Sequence, residues 1–196
     1  MIPAGITDIG NLAFNNCTRL TSIVIPHSVT RIGDSAFVGC IGLTNVTISE
    51  HVTSMGDRAF GSCSGLISIS VDVANPAYCT GEDGVVFDKQ KTHLVICPAG
   101  KTGDYVVPKG VDKIRQRAFD GCANLIRVTI PEDVTSLEGW TFAGCINLTG
   151  IYFQGDAPCF DREVFDGSKK VTAYYCLGTK GWGPTFGGRP TAVWKQ

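Results

Sequence analysis

The sequence predicts an α/β solenoid in which short parallel strands alternate with one-turn helices, and two observations support this fold class. Phenylalanines stand at positions 14, 37 and 60 and again at 119, 142 and 165, so that every step within each triplet is 23 residues. Glycine supplies 24 of the 196 residues, against a usual share of about 7%, which is typical of many short elements joined by tight turns. Self-similarity at a fixed period indicates stacked units that pack mainly on their neighbours.

In phase with these phenylalanines, the chain divides into six repeats, one longer module and a tail. We expect a single domain over 1–196, built from repeats 2–24, 25–47 and 48–70, a variant module over 71–106, repeats 107–129, 130–152 and 153–175, and a C-terminal cap over 176–196.

The first element of a repeat is a predicted strand. Val46 and Ile48 are separated by a polar residue, which is the period of a half-buried strand. Pro26 directly follows the equivalent strand and ends it, because proline has no amide hydrogen for the ladder. A second apolar alternation over 52–55 predicts another extended piece.

The last element of a repeat is a predicted one-turn helix in the segment Gly-Asp-x-Ala-Phe-x-x-Cys. Asp34 or Asp57 would cap it, and Phe37 and Cys40, three residues apart, would share its inward side. In the variant module, Asp83-Gly84 ahead of 85–87 predicts a turn into a hairpin.

Nine cysteines raise the question of disulfides or zinc, and their spacing argues against both for five of them. Rungs of a stacked sheet lie about 4.8 Å apart with parallel side chains, whereas a disulfide needs Cβ atoms about 3.8 Å apart and facing each other. A straight row of sulfurs also cannot surround zinc tetrahedrally. We therefore expect a structural ladder of buried free thiols, whereas the pairing of Cys79, Cys97, Cys159 and Cys176 stays open; the ladder comprises Cys17, Cys40, Cys63, Cys122 and Cys145.

The run Ile25-Pro-x-Ser-Val-Thr-x-Ile32-Gly-Asp-x-Ala-Phe-x-Gly-Cys-x-x-Leu43-Thr-x-Val46-x-Ile48 resembles the BspA-type leucine-rich repeat of bacterial and protozoan surface proteins. The variant module and the tail are similar to the long repeat and the closing segment of some members. The resemblance implies a right-handed β/α leucine-rich-repeat solenoid that acts as an adhesive or recognition surface. It also implies an extracellular or cell-surface location, although no signal peptide opens this chain, which we expect to be an excised fragment.

Composition and motifs exclude several classes of function. A formal net charge of −1 gives no basic field for a nucleic acid and no polybasic attachment to a membrane, and no apolar run reaches membrane-spanning length. No nucleophile, metalloprotease or nucleotide-binding motif is present, so we expect neither an enzyme nor a cofactor. His27 and His51 fall on neighbouring turns but one position out of register, so we expect no metal site.

The face of the sheet that points away from the core is the predicted binding surface, because successive side chains of a strand alternate between faces. In the C-terminal half this face would present Arg127, Thr129, Tyr152 and Tyr175. Tyrosine and arginine are enriched at binding hot spots, so we expect a protein partner on a host or neighbouring cell or its matrix. A carbohydrate ligand and a structural spacer remain alternatives, and the two tyrosines could instead pack on the tail.

The two ends of the array are expected to differ. The first repeat would expose Ile6, Ile9 and Phe14, which predicts self-association through the N-terminal end or fraying there. At the other end, Trp182, Phe186 and Trp194 would seal the last repeat.

Overall fold

The computed structural model describes residues 2–161 and 163–194 of the chain. Every regular element in these residues is a β-strand, so the prediction of an α/β fold with one-turn helices is wrong. The chain winds as a β-solenoid of short strands joined by turns. No helix in the described ranges is long and apolar enough to cross a membrane.

The strands are two to seven residues long, and most of them recur once or twice in each repeat. The first three repeats hold β1 (Asp8–Ile9), β2 (Ser22–Val24), β3 (Arg31–Ile32), β4 (Asn45–Ile48), β5 (Ser54–Met55) and β6 (Ser68–Val71). The variant module holds β7 (Tyr78–Thr80), β8 (Val86–Asp88), β9 (His93–Ile96) and β10 (Thr102–Val106). The remaining repeats and the tail hold β11 (Lys113–Ile114), β12 (Asn124–Ile130), β13 (Ser136–Leu137), β14 (Gly150–Phe153), β15 (Cys159–Phe160), β16 (Thr172–Cys176), β17 (Thr185–Phe186) and β18 (Arg189–Trp194).

Equivalent strands of successive repeats pair in parallel and form two kinds of sheet. The longer strands make a sheet of order β2-β4-β6 and a sheet of order β10-β12-β14-β16-β18-β17. The shorter strands make sheets of order β1-β3-β5 and β15-β13-β11-β9-β8-β7. Within the first three repeats the register keeps the 23-residue step, as in the partners Asn45 and Ser68. The repeat period of the sequence is thus the pairing register of the sheets.

The Ala-Phe segment of each repeat is a turn because its amides alternate between two kinds of partner. The amides of Ala36 and Val38 donate to carbonyls three residues earlier, whereas the amide of Phe37 donates across the rungs to the carbonyl of Ala59 at 2.8 Å. Ser35, at the start of the turn, has a φ of 54°, in the left-handed region. Helical amides beyond the first turn bond to carbonyls of their own segment, whereas here every second amide bonds to the next repeat, so the sequence pattern of a capped helical turn was misleading.

The aspartates that were expected to cap these helices connect neighbouring rungs instead. Oδ1 of Asp34 accepts a hydrogen bond from the amide of Asp57 at 3.1 Å. The amide of Asp34 in turn donates to Oδ1 of Asn11 at 2.9 Å. Each of these side chains therefore satisfies an amide of the following repeat rather than one of its own turn.

Phenylalanine rings stack in the core of each half. Phe14, Phe37 and Phe60 are parallel, with ring centroids 4.9 and 5.0 Å apart. In the C-terminal half, Phe119 lies 4.8 Å from Phe142, which lies 5.8 Å from the ring of Phe165. These two stacks of rings give each triplet of repeats a continuous aromatic core.

The variant module carries antiparallel strands between the two triplets. Strand β7 pairs antiparallel with β8, and β8 with β9, so the predicted hairpin is confirmed. The amide of Cys97 donates to the carbonyl of Ala118 at 2.7 Å, the bond that Phe37 makes to Ala59 in a regular repeat. Cys97 thus occupies the phenylalanine position of this module.

Candidate functional site

Two columns of side chains project from the outward face of the C-terminal sheet. The pairing register of β10, β12, β14 and β16 aligns Val106, Thr129, Tyr152 and Tyr174 in one column. The adjacent column contains Asp104, Arg127, Gly150 and Thr172. Of the four predicted binding residues, the structure brings Arg127, Thr129 and Tyr152 together on this face.

Tyr175 does not lie on this face, so its predicted placement beside Tyr152 is wrong. The step between β14 and β16 is 22 residues, which aligns Tyr152 with Tyr174 and Phe153 with Tyr175. The last repeat therefore has one residue fewer ahead of β16 than the regular 23-residue step requires. A shift of one residue moves every side chain of a strand to the opposite face of the sheet. Tyr175 stacks instead on Trp182 of the tail, with ring centroids 5.1 Å apart.

The outward face carries an aromatic cluster formed by Tyr152, Tyr174 and Trp194. The rings of Tyr152 and Tyr174 are nearly parallel, with centroids 4.7 Å apart and planes 8° apart. Trp194 meets Tyr152 edge-on, with centroids 5.1 Å apart. The expected seal of the last repeat therefore includes Trp182 and Phe186, which pack on Phe153, whereas Trp194 lies on the outward face.

Gly150 provides the surface on which the Tyr152 ring rests. A Cβ atom at this position would lie 2.7 Å from Cε2 of Tyr152, closer than van der Waals contact allows. The glycine therefore lets the ring lie over the strand, where it meets Tyr174 on the next rung.

These side chains line an open groove of about 530 Å³. The groove contains one charged pair. A guanidinium nitrogen of Arg127 lies 3.7 Å from Oδ2 of Asp104, and both side chains are more than half exposed. The groove is lined by Asp104, Val106, Arg127, Thr129, Tyr152, Tyr174, Val193 and Trp194. It combines aromatic side chains with two exposed valines and one arginine.

The sequence offered only part of this site. Asp104 belongs to the variant module and Trp194 to the tail, so neither belongs to the columns of the 23-residue repeat. Tyr174 and Tyr175 are adjacent, and either could follow Tyr152 if one residue is missing from the last repeat. The sequence signal that could have distinguished the two tyrosines is the length of the last repeat relative to the repeat before it.

The five ladder cysteines form a column in the core, on the inner side of the turns. Four of them are fully buried, and Cys17 of the first repeat is half-buried. The thiols of Cys40 and Cys63 each donate to the carbonyl of the phenylalanine 26 residues earlier, at 3.0 Å. Burial raises the pKa of the Cys63 thiol to about 12. The five ladder cysteines form no disulfide in this structure, and the redox state of the ladder stays a prediction.

The histidines lie closer together than their sequence register suggested. Nδ1 of His27 lies 2.9 Å from both carboxylate oxygens of Glu50, and Nδ1 of His51 lies 3.5 Å from Oε1 of the same residue. Glu50, which stands one full repeat after His27, was missed because the comparison was made between the two histidines alone.

The exposed apolar residues expected at the N-terminal end are only partly exposed. Ile6 is 41% exposed, but Ile9 is buried in β1 and Phe14 stacks on Phe37. Self-association through this end stays a prediction.

Parallel strands at a 23-residue spacing, stacked phenylalanines and a column of thiols define a repeat protein of the solenoid class. The chain belongs to the family described as BspA type leucine-rich repeat region, whose repeat matches six copies over residues 1–77 and 101–177. The unmatched stretch between them contains β7, β8 and β9 of the variant module. The resemblance inferred from the sequence is thereby confirmed.

Solved structures of bacterial leucine-rich repeat proteins share this fold. The pneumococcal vaccine antigen PcpA is 21% identical with a TM-score of 0.63, over 87% of this chain and 54% of that chain. A leucine-rich cell surface protein from Faecalibacterium prausnitzii is 23% identical with a TM-score of 0.57, over 84% of this chain and 56% of that chain. A leucine-rich repeat protein from Eubacterium ventriosum is 22% identical with a TM-score of 0.51, over 89% of this chain and 64% of that chain. This chain therefore spans between about half and two thirds of their length, and the likeness concerns the fold alone. A search of curated proteins found no significant match.

Proposed function

We propose that this chain is a non-enzymatic recognition module, displayed at the cell surface or secreted, that binds a protein partner through the groove on its C-terminal sheet. Membership of a repeat family with extended sheet faces supports a binding scaffold. The similar structure from F. prausnitzii is that of a cell surface protein, which supports the location by analogy. The lining of the groove includes one carboxylate, Asp104, and neither histidine nor cysteine, which supports binding over chemistry.

The aromatic cluster is the single observation that carries this proposal. Tyr152 and Tyr174 present stacked rings at a surface where solvent-exposed side chains are usually polar. Rigid aromatic rings offer large contact area with few rotatable bonds, and hot spots are enriched in tyrosine, tryptophan and arginine. Exposed Val106 adds apolar surface beside them, which favours a protein partner.

A carbohydrate is the second candidate ligand. Partly exposed tyrosine and tryptophan rings can pack against the apolar face of a sugar, and Thr129, Arg127 and Asp104 supply hydrogen-bonding groups beside them. A spacer role, in which the groove binds nothing, is the remaining possibility.

The test uses a variant in which both tyrosines of the groove are replaced, Tyr152→Ser with Tyr174→Ser. Tyr175→Ser, on the opposite face of the strand, is the matched control. Each is screened against a panel of purified extracellular-matrix proteins and against a glycan array. We expect the parent chain to bind a matrix protein and the double variant to lose about 30-fold in affinity, since truncating a hot spot costs about 2 kcal/mol. The control should bind normally in its folded fraction, although its melting temperature should fall.

A second probe moves the ring without removing it. In Gly150→Ala the added Cβ displaces the Tyr152 ring, and binding should weaken while the melting temperature changes little. Binding only to glycans would select the second candidate. Undiminished binding in both the double variant and Gly150→Ala would overturn the assignment of the groove.

A further inference from the structure

The corner turns of the second and third repeats bring together three metal-ligating side chains that the recognition groove does not use. His27 lies just after Pro26 in one turn, and Glu50 and His51 lie side by side in the next. One ligand atom from each of the three can be chosen so that all lie within 4.8 Å of one another. Among the described residues, His27, Glu50 and His51 are the metal-ligating side chains that lie close enough in a group of three to hold a metal ion.

The two separations between the histidines and Glu50 are close to those of a zinc ligand set, and all three ligand atoms lie within 4.8 Å of one another. Ligand atoms about 2.0–2.1 Å from a tetrahedral zinc ion are about 3.3 Å from one another. The pairs Nδ1 of His27 to Oε1 of Glu50, at 2.9 Å, and Nδ1 of His51 to the same oxygen, at 3.5 Å, lie on either side of that value. Because the two histidine side chains are 79% and 57% exposed, small rotations can bring the nitrogens into place.

The backbone beneath these side chains is fixed by buried hydrogen bonds. The side-chain amide of Asn75, which is fully buried, donates to the carbonyls of Ser49 and Val52 at 2.9 and 2.8 Å and so holds both ends of the turn that carries Glu50 and His51. The hydroxyl of Ser49 donates to the carbonyl of Pro26 at 3.3 Å and connects this turn to the one that carries His27. The three ligands therefore stand on a rigid frame, as a preformed metal site requires.

We propose that His27, Glu50 and His51 form a surface site for a divalent transition-metal ion of the zinc class. Imidazole nitrogens are ligands that zinc, copper and nickel accept, and one carboxylate completes the two-histidine, one-glutamate set found in open zinc sites. Three protein ligands leave a fourth position for water. The bound ion would connect the second repeat to the third from outside the core.

Histidine resonances provide a direct test, because the chain contains only three histidines. His93 is the internal control: it lies 3.6 Å from carboxylate oxygens of Asp88 and Asp112 but has no second imidazole in its surroundings. The full chain, at a fixed buffered pH and in a reductant that does not bind metal, is titrated with Zn²⁺. We expect the ring signals of His27 and His51 to shift together and to saturate at a 1:1 ratio, while those of His93 stay in place.

Variants then locate the ligands and separate this site from metal capture by the nine thiols. His27→Ala, His51→Ala and Glu50→Gln should each weaken Zn²⁺ binding at the histidine signals by about 10–100-fold or more, whereas His93→Ala should leave it unchanged. The side chains of His27 and His51 are 79% and 57% exposed, so His27→Ala and His51→Ala should keep the melting temperature of the metal-free chain. Glu50 and His93 are partly buried, so Glu50→Gln is chosen to keep the size of the side chain, and the melting temperatures of Glu50→Gln and His93→Ala are measured alongside. No shift of the two signals, equal shifts of all three histidines, or parent-like affinity in His51→Ala and Glu50→Gln would overturn the proposal.

Discussion

The hydroxyl of Ser168 donates a 2.7 Å hydrogen bond to the carbonyl oxygen of Phe142, 26 residues earlier in the chain. The thiols of Cys40, Cys63 and Cys145 make the same bond to the phenylalanines of the preceding repeats, at 3.0 to 3.2 Å. This position therefore requires a small side chain with one hydrogen to donate, and it accepts sulfur or oxygen. Its buried carbonyl partner explains why a cysteine or serine recurs there.

Removing this donor should destabilise the C-terminal repeats. We expect Ser168→Ala to lower the free energy of unfolding by about 1–2 kcal/mol, because it deprives a buried carbonyl of a hydrogen bond. Ser168→Cys should keep most of the stability, since a thiol makes this bond in the other repeats. Urea denaturation followed by circular dichroism measures both. Equal losses in the two variants would show that the side chain's volume matters more than its donor.

The thiols of the ladder should be unreactive in the folded chain. Burial raises the pKa of Cys63, Cys145 and Cys40, and thiolate is the reactive form. Exposed Cys159 should therefore react first with a thiol reagent at pH 8. In denaturant without reductant, at least five thiols should titrate; one or none would contradict the free-thiol ladder.

The same burial predicts a loss of stability at alkaline pH. The thiol of Cys63 has an ordinary pKa of 9.0 and a pKa of about 12 in the folded chain. The unfolded chain releases this proton first, so the stabilisation is complete below pH 9 and is lost as the pH rises from 9 toward 12. The slope attributable to Cys63 is about 1.4 kcal/mol per pH unit.

The comparison that isolates this effect is between the parent chain and Cys63→Ser. The hydroxyl keeps the donor but does not titrate in this range. Denaturation at a series of pH values between 8 and 11 should give a steeper decline in the parent, and parallel curves would refute the assignment.

A buried carboxylate, Asp120, joins the two triplets of repeats across the variant module. Its side chain is 4% exposed and accepts hydrogen bonds from Nε of Arg58 at 2.8 Å, from the hydroxyl of Ser62 at 3.1 Å and from Arg117 at 3.1 Å. We expect Asp120→Ala to lower the free energy of unfolding by about 3 kcal/mol, because it leaves a partly buried arginine without its partner.

Asp104→Ala is the control for this change, since it also removes an aspartate paired with an arginine, Arg127, but from an exposed surface. Exposed pairs contribute at most about 1 kcal/mol, so its effect should be small. Differential scanning calorimetry compares the two variants. Similar small effects would mean that Asp120 does not hold the triplets together, and a split of the transition would show that they unfold separately.

The repeat period and the identity of the core residues could be predicted from the sequence, because stacking requires the same residue types at the same step. Phe37 and Cys40 are buried as the pattern required. The helix was mispredicted because Asp34 ahead of Ala36-Phe37 satisfies the local rules for a cap, whereas the bonds that decide the conformation run to the next repeat. Tertiary hydrogen bonding here overrides the local preference.

The recognition face was only partly predictable for a different reason. Arg127 and Thr129 follow the 23-residue step, but the position after Tyr152 depends on the length of one loop. Tyr174 and Tyr175 have the same side chain, so hydrophobic alternation could not decide between them. The sequence therefore predicted a tyrosine next to Tyr152 on this face, but only the pairing register shows that this tyrosine is Tyr174.

The missing residue in the last repeat changes which side chains of β16 face solvent. Deleting one residue ahead of Thr172 exchanges the inward and outward sets of a single strand, so a tyrosine that would have faced solvent now packs against the tail and its neighbour takes its place. The strand before it keeps its own alternation, because β12 and β14 still pair with the regular 23-residue step. A single-codon deletion in any rung could therefore exchange that rung's whole surface at once, where point mutations would have to change it residue by residue.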